Sequence, residues 1–192
     1  MLHYHANASD NDNNIITSSN NNSNVSAEEK RAKAKSSPKS AMDHFLRSLS
    51  IREERLGPDH VDVATNLNNI GRIHMQRDEF DDALRNYEGA LRIRRACLGT
   101  DSLDYATTAF NAGQSLHQRG DLDRAAELYR EFLRVATRTF GRDHRDVAVV
   151  LSGIAQIHQE KRQHGEVLEL YEESLRAGKA ALGENHPEIF ML

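Results

Sequence analysis

From Ala41 onward, apolar and small residues recur at intervals of three and four, the period of a helix that buries one face. The first clear stripe runs Ala64, Leu67, Ile70, Gly71 and His74. The segment "QRDEF" interrupts it, and a second stripe follows at Ala83, Leu84, Tyr87, Ala90, Leu91 and Arg94. The whole pattern then starts again. "LGPDHVDVATNLNNIGRIH" at Leu56 returns as "LGTDSLDYATTAFNAGQSLH" at Leu98 and "FGRDHRDVAVVLSGIAQIH" at Phe140, and "LGENHPEIFML" opens at Leu182, each forty-two residues after the one before. Each unit reads as a helix hairpin. A lone hairpin cannot bury both its faces, so the units are expected to stack on one another.

The repeated stretch itself reads as a joint. Gly57, Gly99, Gly141 and Gly183 fall just past a second helix, where a left-handed residue is wanted. Asp59, Asp101, Asp143 and Asn185 are then expected to supply N-cap oxygens. Asp62, Asp104, Asp146 and Glu188, three residues on, resemble the second half of a capping box and place negative charge at the positive end of the helix dipole.

The residues at fixed offsets resemble the tetratricopeptide repeat. Unit one gives Leu67, Ile70, Gly71, His74, Ala83, Tyr87 and Ala90. Unit two gives Ala109, Ala112, Gly113, Leu116, Ala125, Tyr129 and Phe132. Unit three gives Leu151, Ile154, Ala155, His158, Val167, Tyr171 and Ser174. A period of forty-two with an "LG-D-H" joint is similar to the kinesin-light-chain subtype. The resemblance implies an all-α fold, a right-handed superhelical stack of helix hairpins, a tetratricopeptide repeat solenoid. Its repeats span 56–97, 98–139 and 140–181, with partial repeats at 41–55 and 182–192. About seven helices follow: an orphan second helix, three hairpins and the stub of a fourth. Unit three departs most, with Val167 and Ser174 for alanines and Arg162 where a loop glycine is usual, so looser packing is expected there. Nothing resembles the heptad stalk of a complete motor subunit, and no phosphate-binding glycine loop is present.

The first forty residues differ. Residues 1–26 are dominated by Asn, Ser and Asp and hold too little apolar surface to offset the entropy of ordering, so a disordered tail is expected. Its sequons at Asn7, Asn21 and Asn24 read as by-products of composition. "AEEKRAKAK" has helix formers without an apolar face, and Pro38 in "SSPKS" is expected to break whatever helix forms, leaving a basic linker before 41–192.

Composition narrows the function. Net charge is −4, with 25 basic and 29 acidic residues well mixed, which argues against a general nucleic-acid binder. The longest apolar run, Val147–Leu151, cannot span a membrane, and no secretory signal is read at the start. One cysteine, Cys97, excludes an internal disulfide and fits a reducing, cytoplasmic setting; it is expected to be partly buried and inert.

Candidate chemistry is sparse. His60, His144 and His186 recur at joints and do not converge, His74 and His158 hold packing positions, and His3 and His5 lie in the tail, so no metal is expected. No nucleophile–base set is suggested by spacing, and Asp81 and Asp82 open a helix, where the dipole explains them. The chain therefore reads as no enzyme, with no cofactor. Arg85, Arg92, Arg94 and Arg95 read as a solvated face.

The resemblance implies that the first helices line a concave groove. Its positions are Thr65, Asn68, Arg72, Met75 and Gln76 in unit one, Thr107, Phe110, Gln114, His117 and Gln118 in unit two, and Val149, Ser152, Gln156, Gln159 and Glu160 in unit three. Amides and hydroxyls that both donate and accept suit an extended peptide. Arg72 alone does not suit a terminal carboxylate. Asn68 either holds a peptide backbone or bonds a neighbouring helix. The expected role is a non-enzymatic adaptor or scaffold that binds a protein segment. The rival is a piece of a larger protein, such as the sensor end of a regulatory ATPase. Apolar residues at 189–192 leave the last face open, so self-association through repeat ends is expected.

Overall fold

The structure, a computed structural model, describes residues 27–191 apart from positions 164 and 185, with side chains placed for 41–189 apart from the same two. The tail at 1–26, Asn185 as a cap and the side chains of 190–192 lie outside the described residues. The described residues divide into two units, with the boundary between positions 37 and 38. Among the described residues all regular structure is helical: α1 (Ala27–Leu56), α2 (Val61–Met75), α3 (Phe80–Leu98), α4 (Leu103–Gln118), α5 (Leu122–Phe140), α6 (Arg145–Glu160), α7 (Val167–Leu182) and a 3₁₀ turn, Pro187–Met191. The break expected at Pro38 is absent, since α1 runs through it. Proline's fixed φ is itself helical, and the Ala, Glu, Lys and Arg before it are good helix formers.

The hairpins are α2 with α3, α4 with α5, and α6 with α7, and each second helix packs on the next first helix. Inside a hairpin a tyrosine lies flat on the first helix. This is possible because the facing residue is glycine: a Cβ on Gly71 would stand 2.6 Å from the Tyr87 ring, and one on Gly113 2.8 Å from the Tyr129 ring. Burial pushes both phenols far above their ordinary pKa. In unit three the facing residue is Ala155, and Tyr171 is only partly buried, its hydroxyl donating to Gln159 Oε1 at 3.2 Å. The methyl group stands where the ring sits in the other units, so the looser packing expected there has a steric cause.

Between hairpins the contact is partly polar. Arg94 of α3 is 6% exposed and donates to the Asp104 carbonyl at 2.8 Å, to the Thr108 hydroxyl and to Thr65 Oγ1 at 3.4 Å. Arg52 of α1 repeats the device, donating to the Asp62 carbonyl at 3.0 Å and to Asn66 Oδ1 at 3.1 Å. At the next step the same two places hold Ala136 and Val150, both fully buried. One packing role is thus filled by a hydrogen-bonded cation twice, buried at Arg94 and partly buried at Arg52, and by an apolar pair once.

The joints depart from expectation in two ways. Their glycines have positive φ, but ψ is extended: Gly99 lies at 78° and 167°, Gly141 at 86° and 170°, Gly183 at 91° and 152°. That region is essentially open to glycine alone, whereas Asn would serve in an ordinary left-handed turn. The N-caps lie one residue later than expected. His60 Nδ1 accepts from Asp62 N at 3.1 Å, His144 Nδ1 from Asp146 N at 3.2 Å, and Ser102 Oγ from Tyr105 N at 3.2 Å. Because the chain leaves glycine extended, the aspartate overshoots the helix mouth and the next side chain reaches it. The freed aspartates bond forward instead. Asp59 takes Arg92 at 2.7 Å, Asp101 takes Arg134 at 2.5 Å and Arg138 at 3.1 Å, and Asp143 takes Arg176 at 2.5 Å. The second carboxylates, Asp62, Asp104 and Asp146, sit two residues past the cap, too early to close a capping box.

Candidate functional site

The first helices α2, α4 and α6 carry the expected groove residues, and the structure separates them into two groups. Between α2 and α4, Asn111 Nδ2 donates to Asn68 Oδ1 at 3.1 Å. This amide bridge joins neighbouring first helices. The counterparts of Asn68 and Asn111 one unit later are Phe110 and Gly153. No side chain at Gly153 can answer Phe110, and the aromatic ring turns onto Tyr129 and Phe132, with centroids 5.4 Å and 5.0 Å away. A cavity of about 520 Å³ opens at this step.

Eight of the fifteen expected groove residues line that cavity: Met75, Phe110, Gln114, His117, Gln118, Val149, Ser152 and Gln156. Seven do not. Thr65 serves the interhelical contact, donating to the Val61 carbonyl at 3.2 Å and accepting from Arg94. Asn68 is taken up in the bridge to Asn111. Arg72, Gln76 and Thr107 are exposed, Gln159 accepts from Tyr171, and Glu160 pairs with His117.

Sequence reasoning missed Tyr129, Arg145, Ala148, Gly153, Leu182 and Glu188, which complete the lining. The available signal was the loss of Asn at position 153 in a place where units one and two both carry it. Two polar contacts border the cavity. His117 Nε2 lies 3.0 Å from Glu160 Oε1, linking α4 to α6. Arg145 Nε lies 2.6 Å from Glu188 Oε2, and hydrogen bonding to the guanidinium holds that carboxyl below its ordinary pKa. The lining thus combines apolar Met75, Phe110, Ala148 and Val149 with the amides Gln114, Gln118 and Gln156, and the Arg145 and Glu188 charges in it are paired with each other.

Other candidates find different places. Cys97 is exposed, contrary to expectation, with Sγ 3.4 Å from the Asp59 carbonyl. The buried stripe of α3 ends at Arg94, and the helix runs on beyond the hairpin it packs in. Of the four arginines expected on a solvated face, Arg85, Arg92 and Arg95 are exposed there, meeting Asp82, Asp59 and the Tyr105 hydroxyl at 2.7 Å, whereas Arg94 is buried between hairpins. His74, Glu79 and Asp82 bring ligand atoms within 4.8 Å of one another. A His74–Glu79 hydrogen bond of 2.6 Å and the Asp82–Arg85 pair account for that approach. Among the described residues no helix is long and apolar enough to cross a membrane.

Comparison with known proteins bears on the family and the fold. Two tetratricopeptide repeat profiles match the chain, one at residues 62–137 and 116–180, the other at 37–62. No curated protein matches it in a sequence search. Among solved structures, BtubC (BKLC) from P. vanneervenii is 19% identical with a TM-score of 0.73; the match covers 83% of this chain and 65% of that one. A Podosopora anserina kinesin-light-chain candidate with nearly identical TPR-like repeats is 16% identical with a TM-score of 0.70, covering 84% of this chain and 77% of the other. A single-substitution variant of that protein gives 0.71 at the same identity. At such identities the likeness is one of fold, a superhelical stack of the kind seen in kinesin-light-chain-like repeat proteins. With the profiles spanning the repeats from the end of α1 to the end of α7, the chain belongs to the tetratricopeptide repeat family.

Proposed function

We propose that the chain is a non-enzymatic adaptor that holds an extended protein segment along α4 and α6, with one large apolar or aromatic side chain seated in the cavity beside Phe110 and Gly153. The cavity is the observation that carries this reading: it is lined by apolar side chains and by three glutamine amides, and the charges of Arg145 and Glu188 in its lining pair with each other. Gln114, Gln118 and Gln156 each donate and accept, which matches the alternating groups of a peptide backbone. A cytoplasmic setting suits the single exposed thiol and the balanced charge. The test is selection of peptides from a random display library on the full chain, followed by titration calorimetry. Selected peptides should share one large apolar residue. Gln114→Ala with Gln156→Ala should weaken them by about 1–3 kcal/mol, the cost of leaving desolvated partners unpaired, at unchanged melting temperature. Selected peptides that bind the double variant equally well would move the site off this face.

A further inference from the structure

One wall of the cavity is a thioether. Met75 of α2 lines the cavity and is partly exposed. Residues forty-two apart hold the same place in the stack, and the counterparts of Met75 are His117 and Gln159, so the fold accepts a polar side chain there. The residue that meets the sulfur is also irregular. Ser115 of α4 is a hydroxyl at 0% exposure, where its counterparts Ile73 and Ile157 are aliphatic and 6% and 0% exposed. The Ser115 hydroxyl donates to Met75 Sδ at 2.9 Å and reaches the Asn111 carbonyl only at 3.5 Å. At the next step of the stack the same two places hold His117 and Ile157. A thioether is a weak acceptor, so this bond adds little to stability. It does engage one of the two lone pairs of the sulfur and leaves the other open.

We propose that Met75 is a modification site, oxidised by a peroxide to the sulfoxide, and that the sulfoxide lowers the affinity of the cavity for the segment it holds. This rests on the adaptor reading of the same cavity. The open lone pair of Sδ attacks one peroxide oxygen, and an S–O bond forms as the O–O bond breaks. The departing hydroxide takes the proton of the transferred oxygen and leaves as water. Sulfur gives up two electrons and the peroxide gains them. Because Ser115 engages the other lone pair, one sulfoxide epimer forms. An apolar part of the lining then carries a strong acceptor, which an apolar ligand side chain would strip of water on binding. Gln118 also lines the cavity and stands 43 positions after Met75, as Glu160 stands after His117. Its amide can donate to the new oxygen from the place in which Glu160 meets His117. Reductases specific for each epimer make the change reversible.

The test treats the full chain with hydrogen peroxide and follows its methionines by peptide mapping and mass spectrometry. Met75 should oxidise at least about fivefold faster than Met42, which is 8% exposed. Its sulfoxide should be a substrate for one of the two epimer-specific reductases, and Ser115→Ala should yield both epimers. Melting temperature should stay unchanged, since His117 and Gln159 are polar in the same place. A peptide selected by display on the unoxidised chain should bind the oxidised chain about tenfold or more weakly. Met75→Gln should weaken it in the same way, and peroxide should not alter the affinity that Met75→Leu shows before treatment. Oxidation of Met75 no faster than that of Met42, or both epimers from the parent chain, would overturn the proposal. So would a peptide that is lost from the Gln114→Ala, Gln156→Ala double variant yet binds the oxidised chain as before. A peptide indifferent both to those glutamines and to oxidation would remove the adaptor site together with its switch.

Discussion

At the scale of single residues, the turn inside each hairpin offers a clean comparison. Arg162 has φ of 57°, in the place held by Asp78 at 59° and Gly120 at 80°. A left-handed backbone costs a residue with a Cβ roughly 1–2 kcal/mol. Part of that is offset by the greater freedom glycine has in the unfolded chain. Arg162→Gly is therefore expected to stabilise by about 1 kcal/mol in urea melts, and Gly120→Arg to destabilise by a similar amount. A decrease for Arg162→Gly would mean that the arginine side chain contributes more than its backbone loses. Gly71 gives the opposite case. Its added Cβ would meet a ring that is 1% exposed and has no room to yield, so Gly71→Ala should cost about 1–3 kcal/mol despite alanine's better helix propensity. The sequence marks Arg162 as irregular because the register of the repeat puts it where glycine stands in unit two. It cannot mark the extended ψ of the joint glycines, since positive φ alone is all that a glycine implies. That is why spacing alone puts the aspartates one step too early as caps.

At the scale of elements, the junction between α3 and α4 contains its own experiment. Arg94 is buried and its pKa is lowered by desolvation, yet α5 and α6 make the equivalent contact with Ala136 and Val150. Arg94→Ala alone removes a donor shared by the Asp104 carbonyl, the Thr108 hydroxyl and Thr65 Oγ1; Thr108 still donates to Asp104 at 3.0 Å, so the loss should be about 1–3 kcal/mol in all. Adding Thr108→Val, which copies the apolar junction, should recover part of the loss, so the double variant is expected to be more stable than the single one. Additive losses in thermal melts would show that the two junctions are not interchangeable. Helix existence and order were legible from Ala41 onward, because a stripe at spacings of three and four is a direct imprint of one buried face; the earlier part of α1, which has no such stripe, was read as a linker. The candidate site was legible only by position. Which groove residues face the cavity depends on the exchange of an Asn–Asn bridge for Phe110 and Gly153, a pairing across helices that spacing along one helix does not encode. Asn68 shows the limit: its place on the helix is the expected one, and the side chain bonds Asn111.

At the scale of the whole molecule, exposed ion pairs tie each joint to the second helix that follows it. Hydrogen bonds and charge from Arg134 and Arg138 hold the Asp101 carboxyl below its ordinary pKa, and Lys161 does the same for Asp123. A carboxyl depressed in the folded state stabilises that state above its unfolded-chain pKa, about 3.9 for Asp, and loses the contribution as pH falls through the folded value. Melting temperature should therefore drop as the solution is acidified below about pH 5, and Asp101→Asn should show a shallower drop. Identical profiles for the two proteins would remove Asp101 from the acid transition. High salt should shrink the difference at neutral pH, as these groups are exposed. The reach of the side-chain bonds has a mechanical consequence. Among the described residues, the longest of them span 43 positions, one repeat and no more. A load applied to the two ends would meet no clamp joining distant parts of the chain. The stack is expected to stretch first as a soft spring and then to unravel one hairpin at a time from an end, with force steps in an optical trap spaced by the contour length of a single repeat.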